Sequence, residues 1–178
     1  VVLTLDAADG GNPEAYRLDI TPEYIRIGGS TYGGVFNGVQ QLFRLLPPEV
    51  YARKGVAAGT QVACAEIEDE PRFAYRGMML DVARTWIDEA KVKRYIDLFS
   101  YHNINKLHLH LSDDEGWRIE IKSHPELTES GGFRGGHSPV RPVYGKWSEK
   151  YGGYFTQEEM RGLIRYAAER NIEIIPEI

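Results

Sequence analysis

The second half of this chain alternates between two hydrophobic periods, and that alternation limits its fold more than any other feature. Residues 77–83 form a nearly continuous apolar run, interrupted by Asp81 near its end, as expected of a strand buried on both faces. A helical period follows over 89–102, with Val92, Tyr95, Ile96 and Phe99 on one side and Asn103 at the C-cap position. Residues 107–111 read as a second strand. Thr156 and Glu159 then form a capping box for a helix reaching about Arg170. Met160, Leu163, Ile164 and Ala167 are its expected inward face, Asn171 its end, and 172–176 a third strand. Strand, helix, strand, helix, strand implies parallel pairing with right-handed crossovers. No Gly-x-Gly-x-x-Gly follows a strand, which counts against a dinucleotide-binding sheet. A (β/α)8 barrel needs roughly 200 to 250 residues, more than follow this alternation's start. The expected class is therefore α/β, an incomplete (β/α)8 TIM barrel of about three strands whose third strand ends the chain without a covering helix.

A different pattern precedes it. Residues 1–5, 16–20 and 24–27 are short alternating segments separated by turn residues such as Gly10, Gly11, Asn12 and Pro22. Val35, Val39, Leu42 and Leu46 place a helix over 34–46, which Pro47 and Pro48 end. One more strand is expected over 60–67, with the acidic run 66–71 as a linker. The chain thus divides into a small, partial α+β domain over 1–70 and the front of the barrel over 71–178.

Composition excludes several functions. The net charge of −5 and pI near 5.6 disfavour a nucleic-acid or anionic-membrane surface. No apolar run approaches the roughly 18 residues of a membrane span. Cys64 is the sole cysteine, so no intrachain disulfide can form. The sequence starts at Val1 without a recognisable signal peptide, as a processed or cut chain would.

In parallel α/β folds the working residues lie at the C-terminal ends of strands. Those ends carry Asp81 and Arg84, then Asp113 and Asp114, then Glu177. The connection from Asp113 to Phe155 is far longer than usual for such a fold and holds Trp117, Arg118, Arg134, Tyr144, Trp147 and Tyr151, aromatic planes beside charged groups as in a sugar site. Adjacent residues point opposite ways, so Asp113, Asp114 and Glu115 cannot all face one substrate. His108 and His110 share one face of a strand. They fit either a metal site or a histidine buried in the barrel, with His110 roughly 10 Å deeper than Asp113 at the usual rise.

Three motifs carry a family resemblance: YRGMMLDVAR from Tyr75, HNINKLHLHLSDDEGWRIEI from His102, and YGGYFTQEEMRGLIRYAAERNIEIIPEI from Tyr151. Together they resemble the first three barrel strands of the family-twenty β-N-acetylhexosaminidases. YRLDIT and GGVFNGVQQLFRLLP are similar to the small domain that precedes that barrel. The resemblance implies retaining hydrolysis of terminal β-linked N-acetylglucosamine or N-acetylgalactosamine from glycans. The substrate's acetamido oxygen is the nucleophile, without metal or organic cofactor. It also implies a periplasmic, secreted or lysosomal setting. Carried over, Arg84 binds outer hydroxyls of the terminal sugar. Asp113 belongs to the network that orients the catalytic acid, with His110 and Asp114 as further members. The family's Asp-Glu pair, in a Gly-Gly-Asp-Glu context, has no match here, so this chain alone is expected to be inactive. Two other readings stay open: a metal-dependent hydrolase using His108 and His110, and a non-catalytic carbohydrate-binding module.

Overall fold

The structure, a computed structural model, describes residues 1–6, 11–51, 59–139 and 148–178. Its contacts group the chain into two compact units, 1–74 with 101–103 and 75–100 with 104–178.

In the first unit, β1 (Val2–Leu5), β2 (Tyr16–Ile20), β3 (Ile25–Gly29), α1 (Tyr32–Leu45) and β4 (Ala65–Asp69) follow in chain order. The sheet order is β1-β3-β2-β4, with β1 parallel to β3 and the other pairs antiparallel. Alternation puts Tyr16, Leu18 and Ile20 on the core face, where they meet Ile27, Val35 and Leu42. The helix starts before the expected Gly34. Thr31 caps it, its Oγ1 accepting the Gly34 N–H at 3.4 Å. A Cβ on Gly34 would lie 2.2 Å from the Ala15 carbonyl oxygen, so close packing explains the glycine inside the first turn. The expected strand over 60–67 is displaced to β4, and the acidic run read as a linker is largely strand. Glu66 and Glu68 flank Arg17 of the neighbouring strand at 2.5 and 3.1 Å, and this cross-strand cation offsets their charge. Gly10 lies outside the described residues.

The second unit runs through β5 (Gly77–Asp81), α2 (Glu89–Tyr101), β6 (Lys106–His110), β7 (Ser112–Asp113), β8 (Gly116–Trp117), α3 (Glu126–Gly131), β9 (Phe133–Arg134), β10 (Tyr151–Gly152), α4 (Gln157–Ala168) and β11 (Glu173–Glu177). Three strands pair in parallel in the order β11-β6-β5, giving the α/β class with the first strands of a (β/α)8 barrel. Leu107 and Leu109 leave one face of β6 and are fully buried. They share a core with Val92, Ile96 and Phe99 of α2 and Met160, Leu163 and Ala167 of α4. Asn103 and Asn171 end the two helices in the left-handed region, at φ 54° and 58°. The capping box of α4 is complete: Glu159 N–H donates to Thr156 Oγ1 at 3.1 Å, and Thr156 N–H donates to Glu159 Oε2 at 2.7 Å.

Three expectations about burial change. Tyr95 and Ile164 are exposed, because the buried stripes centre on Val92, Ile96 and Phe99 and on Met160, Leu163 and Ala167, leaving both residues a step around the helix. The run over 77–83 is not buried on both faces. Met78 and Met79 are about half exposed, and among the described residues β5 pairs with β6 alone. Its burial is concentrated just past the strand, in Val82 and Ala83.

Candidate active site

Register brings distant residues together here. Asp81 on β5, His110 on β6 and Glu177 on β11 occupy one rung of the parallel sheet, the last before the strands end. In-register neighbours project from the same face, and His108 lies one step back on that face of β6. Its opposite face carries Leu107 and Leu109 into the core.

From this rung a continuous polar chain extends. Asp81 Oδ1 accepts the backbone N–H groups of Ala83 and Arg84, both at 3.0 Å, and Oδ2 accepts from Arg84 Nη1 at 2.9 Å. Arg84 Nη2 lies 2.5 Å from Asp113 Oδ2. That oxygen is also 3.0 Å from His110 Nε2, and His110 Nδ1 is 2.6 Å from Glu177 Oε2. His108 Nε2 reaches the same Glu177 oxygen at 2.7 Å.

The site residues named from the sequence thus separate. Arg84, Asp113 and His110 are joined directly. Asp114 is exposed, and its N–H donates to Asp113 Oδ1 at 2.7 Å. The expected depth of His110 is wrong. The chain does not continue straight after β6 but folds back in a tight hairpin, β7 against β8, with Asp114 and Glu115 at its turn. Asp113 is thereby returned to hydrogen-bonding distance of His110. Asp81 and Glu177 complete the network; both were visible at strand ends, but their shared rung depends on strand pairing rather than local sequence.

Electrostatics follow from these contacts. Asp113 is held well below the ordinary carboxylate range, first by hydrogen bonding with Asp114 and then with His110. Burial works against ionised Asp81, but the Arg84 N–H and guanidinium outweigh it and its pKa is lowered. His110 is raised, by Glu177 first; burial opposes this and Asp113 adds to it. Glu177 is lowered, chiefly by His110. The arrangement is a row of carboxylates kept ionised by interleaved cations, with Arg84 48% exposed at its outer side. Such a row can present a fixed guanidinium and carboxylate to hydroxyl groups. Among the described residues no group of three or more His, Cys, Asp or Glu side chains is placed to hold a metal ion.

The long connection after β6 behaves differently from its sugar-site composition. Arg118 is 0% exposed and donates only to carbonyl oxygens: Nε to Val82 and Ala83, Nη1 to Gly132 and Gly153, Nη2 to Ala83 and Glu115. Burial first, and Arg134 second, bring it down to about 10, so it stays cationic at neutral pH. Arg134 is buried as well, paired with Glu115 and donating to the Arg84 carbonyl at 2.6 Å. Both arginines are therefore internal rather than open to a ligand. Trp86 packs against Phe155 with tilted rings whose centroids are 4.7 Å apart, and Gly153 leaves room for it: a Cβ there would stand 2.4 Å from the Trp86 ring. Trp117 donates its Nε1–H to the Ile119 carbonyl at 2.6 Å, and the Tyr151 hydroxyl donates to the Trp86 carbonyl at 3.2 Å. Tyr144 and Trp147 lie outside the described residues.

Comparison with known proteins adds the following. The family model described as the glycosyl hydrolase family 20 catalytic domain matches residues 73–178, and that for domain 2 of the same family matches residues 1–70. A β-hexosaminidase of Vibrio furnissii is 44% identical over 164 residues, covering 92% of this chain and 26% of its own length. A β-hexosaminidase of Porphyromonas gingivalis is 39% identical over 178 residues, covering 100% of this chain and 22% of its own. Among solved structures, a family 20 exo-β-N-acetylglucosaminidase from Vibrio harveyi in complex with N-acetylglucosamine superposes with a TM-score of 0.86 at 41% identity, covering 99% of this chain and 26% of that one. The Streptomyces plicatus N-acetyl-β-hexosaminidase in complex with Thio-NAglucal gives 0.86 at 43%, covering 99% and 33%. The chain spans about a quarter of the curated relatives and a quarter to a third of the solved chains.

Proposed function

The chain belongs to glycosyl hydrolase family 20, and on that premise we propose that the protein carrying it removes terminal β-linked N-acetylglucosamine or N-acetylgalactosamine from glycans. Hydrolysis is retaining and substrate-assisted. The acetamido oxygen of the sugar attacks its own anomeric carbon while an acid protonates the leaving oxygen. Residues 1–178 supply sugar recognition and support. Arg84 hydrogen-bonds the outer hydroxyls, and Asp113, with His110 and Asp114 beside it, belongs to the network that orients the acid.

The observation that carries this reading is the Arg84 guanidinium, fixed by Asp81 and Asp113 while half exposed at the strand ends. A planar fork held in this way suits recognition of neighbouring hydroxyls better than a mobile ammonium. None of the carboxylates in the row is set up as the acid, since Asp81, Asp113 and Glu177 are all held ionised, whereas a glycosidase acid needs a raised pKa. In this reading the isolated chain does not turn over substrate.

The test is hydrolysis of a chromogenic N-acetyl-β-glucosaminide by the whole protein and by residues 1–178 side by side. Activity in the whole protein alone supports the reading. Activity in residues 1–178 would place the acid among their own carboxylates. No activity in either would remove the hexosaminidase assignment.

A further inference from the structure

Past the end of β5 the chain leaves the sheet after a last bond from Val82 N–H to the His110 carbonyl of β6 at 3.2 Å, and the other backbone groups of residues 82–84 need partners elsewhere. The N–H groups of Ala83 and Arg84 are met locally, both donating to Asp81 Oδ1 at 3.0 Å. The three consecutive carbonyls are met by two buried arginines from the long connection between β6 and α4. Arg118 Nε lies 3.1 Å from the Val82 oxygen and Nη2 2.8 Å from that of Ala83, and Arg134 Nη1 lies 2.6 Å from that of Arg84. Glu115, at the hairpin turn next to Asp114, neutralises Arg134.

We propose that Arg118 and the Arg134–Glu115 pair are positioning residues for sugar recognition, fixing the main chain of residues 82–84 so that the Arg84 guanidinium meets the outer hydroxyls of a terminal N-acetylhexosamine at a set point. This rests on the reading that Arg84 meets that sugar. Two features separate the role from general stabilisation. Burying charge is an inefficient way to stabilise, because well-packed apolar residues do as well or better; what a guanidinium adds is several donors at fixed angles. The grip also falls on the carbonyls leading into Arg84 and on that of Arg84 itself. The same hairpin carries Asp113, so one clamp locates both members of the Arg84–Asp113 pair. Misplacement of a recognition group by about 1 Å can cost on the order of a hundredfold in rate.

The experiment uses the whole protein and three groups of variants: Arg84→Ala; the conservative Arg118→Lys and Arg134→Lys; and the double variant Glu115→Gln with Arg134→Met, which removes both members of that buried ion pair together. The readout is the ratio of kcat/KM for an aryl N-acetyl-β-glucosaminide to that for its analogue lacking one outer hydroxyl, measured on folded protein as judged by circular dichroism. Arg84→Ala is expected to shrink that ratio roughly ten- to a hundredfold, the range for a lost charged hydrogen bond. The double variant and Arg118→Lys should shrink it by a similar factor, mainly through KM. Arg134→Lys, which keeps its charge opposite Glu115, should fall between. A residue that only stabilises would lower the folded yield and leave the ratio alone. If the double variant does not fold, the two lysine variants carry the test. An unchanged ratio in folded clamp variants, with Arg84→Ala still collapsing it, overturns the positioning role and leaves the sugar reading intact. An unchanged ratio in Arg84→Ala removes the sugar contact and the proposal with it.

Discussion

His110 and Glu177, 67 residues apart in sequence, face each other on one rung of the sheet with Nδ1 2.6 Å from Oε2. The other ring nitrogen of His110 faces Asp113 at 3.0 Å, so a carboxylate stands at each end of the imidazole and both nitrogens act as donors in the charged form. Asp81 shares the rung, and Arg84 bears on the same Asp113 oxygen that faces His110. An NMR titration should therefore place the His110 midpoint above the ordinary 6.5, and Glu177→Gln should bring it down. With its folded pKa raised, His110 contributes stability that is complete below pH 6.5 and is lost as pH rises through the raised value. Thermal melts from mildly acidic to alkaline pH should show that decline, and it should flatten in Glu177→Gln. A midpoint at or below 6.5 would contradict the charged bridge.

Arg84→Lys should weaken substrate binding by the whole protein. A lysine is a single point charge and cannot hold Asp81 and Asp113 together through a fork. KM for an aryl N-acetyl-β-glucosaminide is expected to rise roughly tenfold or more, the scale of one charged hydrogen bond, with a smaller change in kcat. Steady-state kinetics at fixed pH check this, and an unchanged KM would remove Arg84 from the binding surface.

Leu109→Ala should destabilise the second unit strongly. Leu109 is fully buried on the central strand β6, in the core shared with α2 and α4. The expected loss is about 2–5 kcal/mol, made up of lost transfer energy and an incompletely collapsed cavity. Urea unfolding of the whole protein measures it.

Thr156→Ala should cost about 1 kcal/mol through loss of the α4 capping box, and Thr156→Ser should recover most of it. A shift in the denaturation midpoint with unchanged slope is the expected signature.

Much of the fold was readable in advance because its cues are local. The apolar periods of α2 and α4, the Thr156–Glu159 box and the two asparagines in the left-handed region depend only on neighbours within a turn or two. The ends of β6 and β11 were legible to within a residue, yet that residue matters, since β6 ends on His110 and β11 on Glu177, whereas β4 and β5 were placed two or more residues off. Arg84, Asp113 and His110 could be picked out as a group. Asp81 and Glu177 could be placed at strand ends, but not on one rung with His110, because register between strands is decided by tertiary packing. The hairpin turn at Asp114 and Glu115 hid the closeness of His110 and Asp113 in the same way. Arg118 and Arg134 are the clearest case of composition misleading. An arginine among tryptophans and tyrosines reads identically whether it faces a sugar or five main-chain oxygens, and only burial tells the two apart.

The all-carbonyl seat of Arg118 also bears on acid tolerance. An arginine tied to a carboxylate loses its partner once the medium is acidic enough to protonate that carboxylate. Peptide oxygens take up no proton across the range in which proteins stay folded, and a guanidinium with a pKa of about 10 is charged throughout its acidic half. The seam joining the loop to residues 82 and 83 therefore has no acid-labile partner, even where the carboxylates around Arg84 and His110 begin to titrate. Should this protein meet low pH, recognition would fade through those carboxylates while the loop stayed moored.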